Sequence, residues 1–214
     1  MSLRQNIINN VGANNLFRLQ DIDFVKKSVL KSLISRWSKI GDIKKYRNGC
    51  YYFASYHKIG NKVFYNDSFN FYNFVKQNYL LDRNGHISGI EVGQNYLTSH
   101  NIDTQISTKH IVYTNNLKCR QKIYKVDTET FVIRKSKVNI NSNNANYLAL
   151  LYTLSEQDFL DFNNRLYDDG AWDNRESIDA LLELLDKNTI WYWAEQFTSK
   201  TRERLKKIYD FTQK

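Results

Sequence analysis

Apolar residues return every three or four positions at the start of the chain: Leu3, Ile7, Ile8 and Val11 share one helical face. Gly12 and the pair Asn14-Asn15 end that helix. A short second helix fits Leu19 to Phe24. A third runs toward Gly41, with Val29, Leu30, Leu33, Ile34, Trp37 and Ile40 at helical spacing. Its opposite face presents Ser28, Lys31, Ser32, Ser35, Ser38 and Lys39. Residues 43–53 then read as two short strands around Arg47-Asn48-Gly49, since Asn-Gly favours a tight hairpin turn.

Beyond residue 62 the pattern changes. Residues 68–81 and 89–99 read as helices. His110–Thr114, Arg120–Val126 and Thr130–Lys137 read as strands, rich in β-branched and aromatic residues. An Asn-rich stretch, Asn139 to Asn146, precedes a helical end. There Ile178, Leu181, Leu182 and Leu185 form one stripe, and Ile190–Phe197 and Ser199–Thr212 suggest two more helices. No internal repeat is visible.

Composition narrows the class. The 214 residues are 42% hydrophobic and 25% charged, ordinary values for a chain with a packed core. No apolar run approaches the roughly 18 to 20 residues of a membrane helix. The opening Met-Ser-Leu-Arg-Gln-Asn lacks the layout of a secretion signal, so the expected location is cytoplasmic. Cys50 and Cys119 are too few for a disulfide framework or a zinc knuckle. Asn, Lys, Ile, Tyr and Phe are abundant and proline is absent, as biased genomic base composition would produce. Richness in lysine alone therefore carries no functional weight.

The placement of charge does. Of the formal +9, residues 1–62 supply the whole excess, with 12 Lys/Arg against Asp21, Asp23 and Asp42. Residues 63–154 carry +4 and residues 155–214 carry −4. A genome-wide lysine drift would not spare the last segment, so the first is an electrostatic footprint for a polyanion. From Phe24 to Gly41 there is no acidic residue at all, whereas a solvated helix face ordinarily mixes Glu with Lys. Helix, short helix, basic helix and basic hairpin is the order of a winged helix-turn-helix. Such a helix enters the roughly 12 Å major groove without acidic repulsion. The expected DNA contacts are Lys27, Ser28, Lys31, Ser32, Ser35, Arg36 and Lys39 on the helix, and Lys44, Lys45, Arg47 and Asn48 on the hairpin. The expected fold is α+β: a winged helix-turn-helix over residues 1–62, then a C-terminal α+β domain over residues 63–214 with a small mixed sheet and terminal helices.

Catalytic motifs are missing from the chain. There is no phosphate-binding glycine loop and no G-x-S-x-G elbow. His57, His86, His100 and His110 never stand three or four apart, and each reads as an exposed or capping residue. Cys50 reads as a small core residue. Asp158, Asp161, Asp168, Asp169 and Asp173 lack the spacing of a calcium loop and read as a solvated helix end. Trp172, Trp191 and Trp193 with Tyr192 read as core, with a partner surface as the sharper alternative. Asp127-Thr128-Glu129 continues as Thr130-Phe131, which breaks the nuclease pattern of an acidic residue beside Glu-x-Lys.

Two stretches resemble a known family. Ile34-Ser35-Arg36-Trp37, then Gly41-Asp42-Ile43, then Arg47-Asn48-Gly49-Cys50-Tyr51-Tyr52 resemble the winged-helix signature of AbiEi-type antitoxins. Ile87-Ser88-Gly89, Asn101-Ile102-Asp103-Thr104-Gln105-Ile106, and Thr114-Asn115 with Arg120 resemble a later segment of that family. Together they span roughly residues 15–125 in the right order. Ser107 and Ala54 stand where the family has proline, and Asn101 stands where it has glycine, a position Asn can fill in the left-handed conformation. The motif residues of the second domain are Gly89, Thr104, Gln105, Thr114, Asn115 and Arg120.

The resemblance implies a transcriptional autorepressor that binds inverted-repeat operator DNA. It also implies the antitoxin of a type IV toxin–antitoxin pair, acting in abortive infection. Its C-terminal domain would counteract a nucleotidyltransferase-like toxin without forming a stable complex. No enzymatic activity, cofactor, metal or membrane partner is expected. The alternatives are a nuclease-like enzyme targeted by the winged helix, or a regulator sensing a small ligand. Because one winged helix reads few base pairs, the expected assembly is a monomer in solution that pairs on DNA.

Overall fold

Helix α1 (Leu3–Val11) starts at Ser2, whose hydroxyl accepts the Gln5 N–H at 3.2 Å. It stops at Gly12, where φ is +83°. The computed structural model that places these elements describes residues 2–47, 49–59, 62–66, 69–102, 107–156 and 175–212. It divides the chain into two compact units, Met1–Lys76 and Gln77–Lys214, and the architecture is α+β.

In the first unit α1 buries Ile7 and Val11 and is followed by strand β1 (Phe17–Arg18). The helix expected over Leu19 to Phe24 is a single 3₁₀ turn, Leu19–Asp21. The Asp21 carboxylate accepts the Arg18 N–H at 2.7 Å and closes the turn locally. Ile22 then goes extended and buries itself in the core. Helix α2 (Lys27–Lys39) buries Leu30, Ile34 and Trp37 and half-buries Leu33.

Two members of the expected apolar stripe do not join the core. Val29 is 46% exposed and Ile40 60% exposed. Val29 lies one position round from the line through Leu30, Ile34 and Trp37, and Ile40 lies past the last turn. Strands β2 (Ile43–Arg47) and β3 (Cys50–Phe53) form an antiparallel hairpin with a register irregularity between Lys45 and Arg47. Gly49 takes φ +78° near its tip, and β1 pairs on the far edge of β3. Phe53 fixes the core, with its ring 5.5 Å from Phe17 and 5.8 Å from Trp37.

A second antiparallel hairpin, β4 (Ser55–Ile59) and β5 (Lys62–Asn66), follows. The boundary expected at 62/63 falls inside it, because charge counting does not see strand pairing. Helix α3 (Phe71–Val75) is capped by Asn70, whose side chain accepts the Asn73 N–H, and runs on as a π turn, Lys76–Leu80.

The second unit opens with strand β6 (Gly89–Val92) and helix α4 (Gln94–Ser99). One helix was expected over 89–99. Gly93, at φ +79°, breaks it, and Ile90 and Val92 go into a sheet instead. Strands β7 (Lys109–Thr114), β8 (Gln121–Val126) and β9 (Glu129–Lys135) complete that sheet in the order β6-β7-β9-β8. Only the β7/β9 pair is parallel, so the sheet is mixed.

Helix α5 (Ala145–Ser155) buries Ala145 and then every residue from Leu148 to Leu154. A helix apolar all round belongs inside a core. Helices α6 (Arg175–Glu183), α7 (Lys187–Ala194) and α8 (Ser199–Thr212) add Ile178, Leu181, Ile190, Ala194, Leu205 and Ile208 to the same cluster. No described helix is long and apolar enough to cross a membrane.

Truncating α5 tests this packing. Leu148→Ala should lower the unfolding free energy by about 3 kcal/mol, since Leu148 is fully buried. Ile123→Ala, on the exposed side of edge strand β8, should change it by under about 0.5 kcal/mol. Urea titrations of the two variants measure the contrast.

Candidate nucleic-acid interface

Helix α2 is thirteen residues long, about 20 Å at the usual rise. Leu30, Leu33, Ile34 and Trp37 face the core, and the opposite side is exposed. Lys27, Ser28, Lys31, Ser32, Ser35, Arg36 and Lys39 are all exposed there. On the hairpin Lys45 is exposed and Lys44 half-buried. Arg47 ends β2, but its side chain, like all of Asn48, lies outside the described residues.

Of the described carboxylates in this unit, Asp21 and Asp42 are paired with arginines. Arg4 Nε lies 3.0 Å from the Asp42 carboxylate, and Arg18 Nη2 lies 3.4 Å from that of Asp21. Asp23 is exposed. Among the described residues, Lys27, Lys31, Arg36 and Lys39 enter no ion pair. The first turn of α2 holds no acidic residue and Lys26 at its N-cap makes no side-chain cap. Helices ordinarily put carboxylates there, where the dipole is positive. Lysines in that turn cost some helix stability and leave the first N–H groups open to an external anion.

In the second unit the motif residues act on the fold. A Cβ on Gly89 would sit 2.0 Å from the Tyr79 carbonyl oxygen and 2.9 Å from that of Tyr113, so only glycine fits. Thr114 is fully buried; its hydroxyl donates to the Ser88 carbonyl and accepts the Asn116 N–H. The Asn115 amide grips Ile140 twice, donating to its carbonyl at 2.8 Å and accepting its N–H at 3.0 Å. Arg120 is exposed, and its carbonyl accepts the Lys135 N–H. Asn101 takes φ +57°, the left-handed conformation that Asn tolerates. Thr104 and Gln105 lie outside the described residues.

A groove of about 510 Å³ lies beside these residues, walled by Asn115, Asn116, Asn139, Asn141 and Asn143. Its amides largely bond the protein itself: Asn116 donates to Leu81 and Ser88, and Asn141 accepts from Asn143.

Other expectations need correction. His110 is neither exposed nor capping. Its Nδ1 lies 2.8 Å from Glu91, its Nε2 faces Glu129 at 3.6 Å, and its ring stacks on Phe131 at 4.3 Å. Burial lowers its pKa, but the hydrogen bond and charge of Glu91, with the charge of Glu129, outweigh that and raise it above the ordinary 6.5. Residues 91, 110 and 129 sit on three strands, so no local spacing announces them. Glu129 thus lies beside His110 and is half exposed, while Asp127 stands exposed in the β8–β9 turn. Among the described residues, no three His, Cys, Asp or Glu side chains converge as cation ligands. Trp191 and Trp193 pack on the core and Tyr192 is exposed. Trp172 and the aspartates from Asp158 to Asp173 lie outside the described residues, as does the His57 side chain.

His110 offers a pH test. With its folded pKa raised, its ion pair contributes stability in full below pH 6.5 and loses it as pH rises through the folded value. Proton NMR should find His110 titrating above 6.5, and Glu91→Gln should bring it down. A wild-type value at or below 6.5 would contradict the assignment.

Neither a family model, nor a curated protein, nor a solved structure matches the chain, so its functional reading rests on the residues and motifs above.

Proposed function

We propose that this chain is a double-stranded DNA-binding transcriptional autorepressor whose first unit is a winged helix-turn-helix, and that it is the antitoxin of a type IV toxin–antitoxin pair. One observation carries the DNA reading: α2 holds an acid-free basic face in solvent while arginines elsewhere occupy Asp21 and Asp42. The order α1, 3₁₀ turn, α2 and β2–β3 hairpin, with β1 closing the sheet, supports it. In this reading α2 lies in the major groove and the hairpin follows the backbone. The antitoxin half is supported by the resemblance alone. It gives the C-terminal domain, expected over residues 63–214, the task of counteracting a nucleotidyltransferase-like toxin.

Binding should be strongly salt-dependent. If about six phosphates are neutralised, the slope of log affinity against log salt is near −5. Without DNA the chain should sediment as a 25.4 kDa monomer, and two copies should load cooperatively on an inverted-repeat operator. An affinity unchanged between about 50 and 200 mM salt would defeat the reading.

The two activities should separate. Lys39→Glu reverses an exposed charge on α2. It should abolish repression of a reporter and leave protection against the co-expressed toxin intact. Loss of protection by a folded Lys39→Glu protein would refute the division.

A further inference from the structure

The exposed surface of α2 holds lysine, arginine and serine, and one residue of another kind inside the helix. Val29 is 46% exposed, one turn from the N-terminus, between Ser28 and the Lys31-Ser32 pair. We infer that Val29 reads a thymine, by packing its methyl groups against the C5-methyl in the major groove. The inference rests on the DNA-binding reading above and names the base contact that gives this helix its selectivity.

Elimination carries the argument. Base edges in the major groove are read by a small set of side-chain chemistries: Asn or Gln for adenine, Asp or Glu for cytosine, Arg or Lys for guanine, and an apolar group for the thymine methyl. Between residues 27 and 40 α2 has no Asn, Gln, Asp or Glu. Adenine and cytosine therefore have no dedicated reader on this helix. Serine hydroxyls bond to several bases and discriminate little. Guanine remains open to Lys27, Lys31 and Arg36, whose charges are also wanted by phosphates.

The apolar option belongs to Val29. In helix-turn-helix docking the N-terminal residues of the recognition helix meet the base edges, and Val29 is the third residue of α2. Ile40 is also exposed, but it lies past the C-terminal end, away from that contact. A valine in a helix holds one dominant rotamer, so it presents its methyls without loss of side-chain freedom.

The test uses the full chain. Sites are selected from a randomised duplex pool, and each thymine is then replaced by deoxyuridine, which removes only the methyl group. Affinity is measured by fluorescence anisotropy. Replacement at one thymine per half-site should weaken binding about fourfold, the worth of one buried methyl. Val29→Ala should weaken binding to the thymine duplex by a similar factor and abolish the deoxyuridine effect. Ile40→Ala should leave both affinities and the effect unchanged. Selected sites without a constant thymine, or a deoxyuridine effect that persists in Val29→Ala, would overturn the inference while the DNA-binding reading stands. No salt-dependent binding to any duplex would overturn both.

Discussion

The second unit depends on enclosing one helix. Helix α5 has almost no polar side: Leu148, Leu151 and Leu154 are fully buried, and Ala149, Leu150 and Tyr152 nearly so. Ile90, Val92 and Ile111 from the sheet join its cluster, as do the apolar stripes of α6, α7 and α8. Where α5 ends, the chain must still deal with a buried carboxylate. Glu156 takes hydrogen bonds from Arg134 on β9 and from the Tyr113 hydroxyl on β7. Arg204 on α8 donates to the Leu154 and Glu156 carbonyls. Burial first, and then the Glu156 charge, push the Tyr113 phenol up to about 12, so it stays a donor at any physiological pH. A buried ion pair of this kind adds little net stability over an apolar replacement, but removing one partner strands the other. The web therefore fixes where α5 ends relative to the sheet.

How much of this was legible follows from the kind of signal each element leaves. Helices α1 and α2 and the β2–β3 hairpin were readable because each has one apolar side and one solvent side, with Gly12, Gly41 and Asn48-Gly49 as punctuation. Strands β7 to β9 were readable from their β-branched and aromatic content. Helix α5 left no stripe, because a segment apolar on every side has no period to detect. Residues 89–92 passed for helix since Ile90 and Val92 sit close to the apolar positions of α4, and only the positive φ at Gly93 separates them. The Glu91–His110–Glu129 arrangement depends on strand register, which joins residues 19 apart in one direction and from a parallel neighbour in the other.

The same physics explains why α2 keeps a free face. Its core partner is a three-stranded sheet with Phe53 at its centre, and Leu30, Ile34 and Trp37, flanked by the half-buried Leu33, satisfy it. A wider apolar stripe has nowhere to go, which is why Val29 stays in solvent despite its hydrophobic character. Arg4 also shields Asp42 by stacking near the Phe53 ring, 5.7 Å from its centroid, so one arginine serves both the core edge and the ion pair. The positive surface of α2 is thus a consequence of where the few carboxylates were placed as much as of how many lysines the chain holds.

A distinction follows between residues that mark the fold and residues free to act. Gly89 is held by the close approach of two carbonyls, Thr114 is buried with both hydroxyl functions used, and Asn115 is spent on Ile140. Changing any of them would disturb the sheet and the loop entering α5 before it touched any partner. Gly89, Thr114 and Asn115 are therefore structural residues, while Arg120 stands exposed. Side chains that the fold does not lock down are found elsewhere in this unit. Strand β8 shows what such a surface looks like: Gln121, Lys122, Ile123 and Lys125 are exposed on a sheet edge, where lysines also discourage pairing with another chain. Gly89, Thr114 and Asn115 are thus constrained by packing, whereas Arg120, Lys122 and Lys125 keep their side chains in solvent.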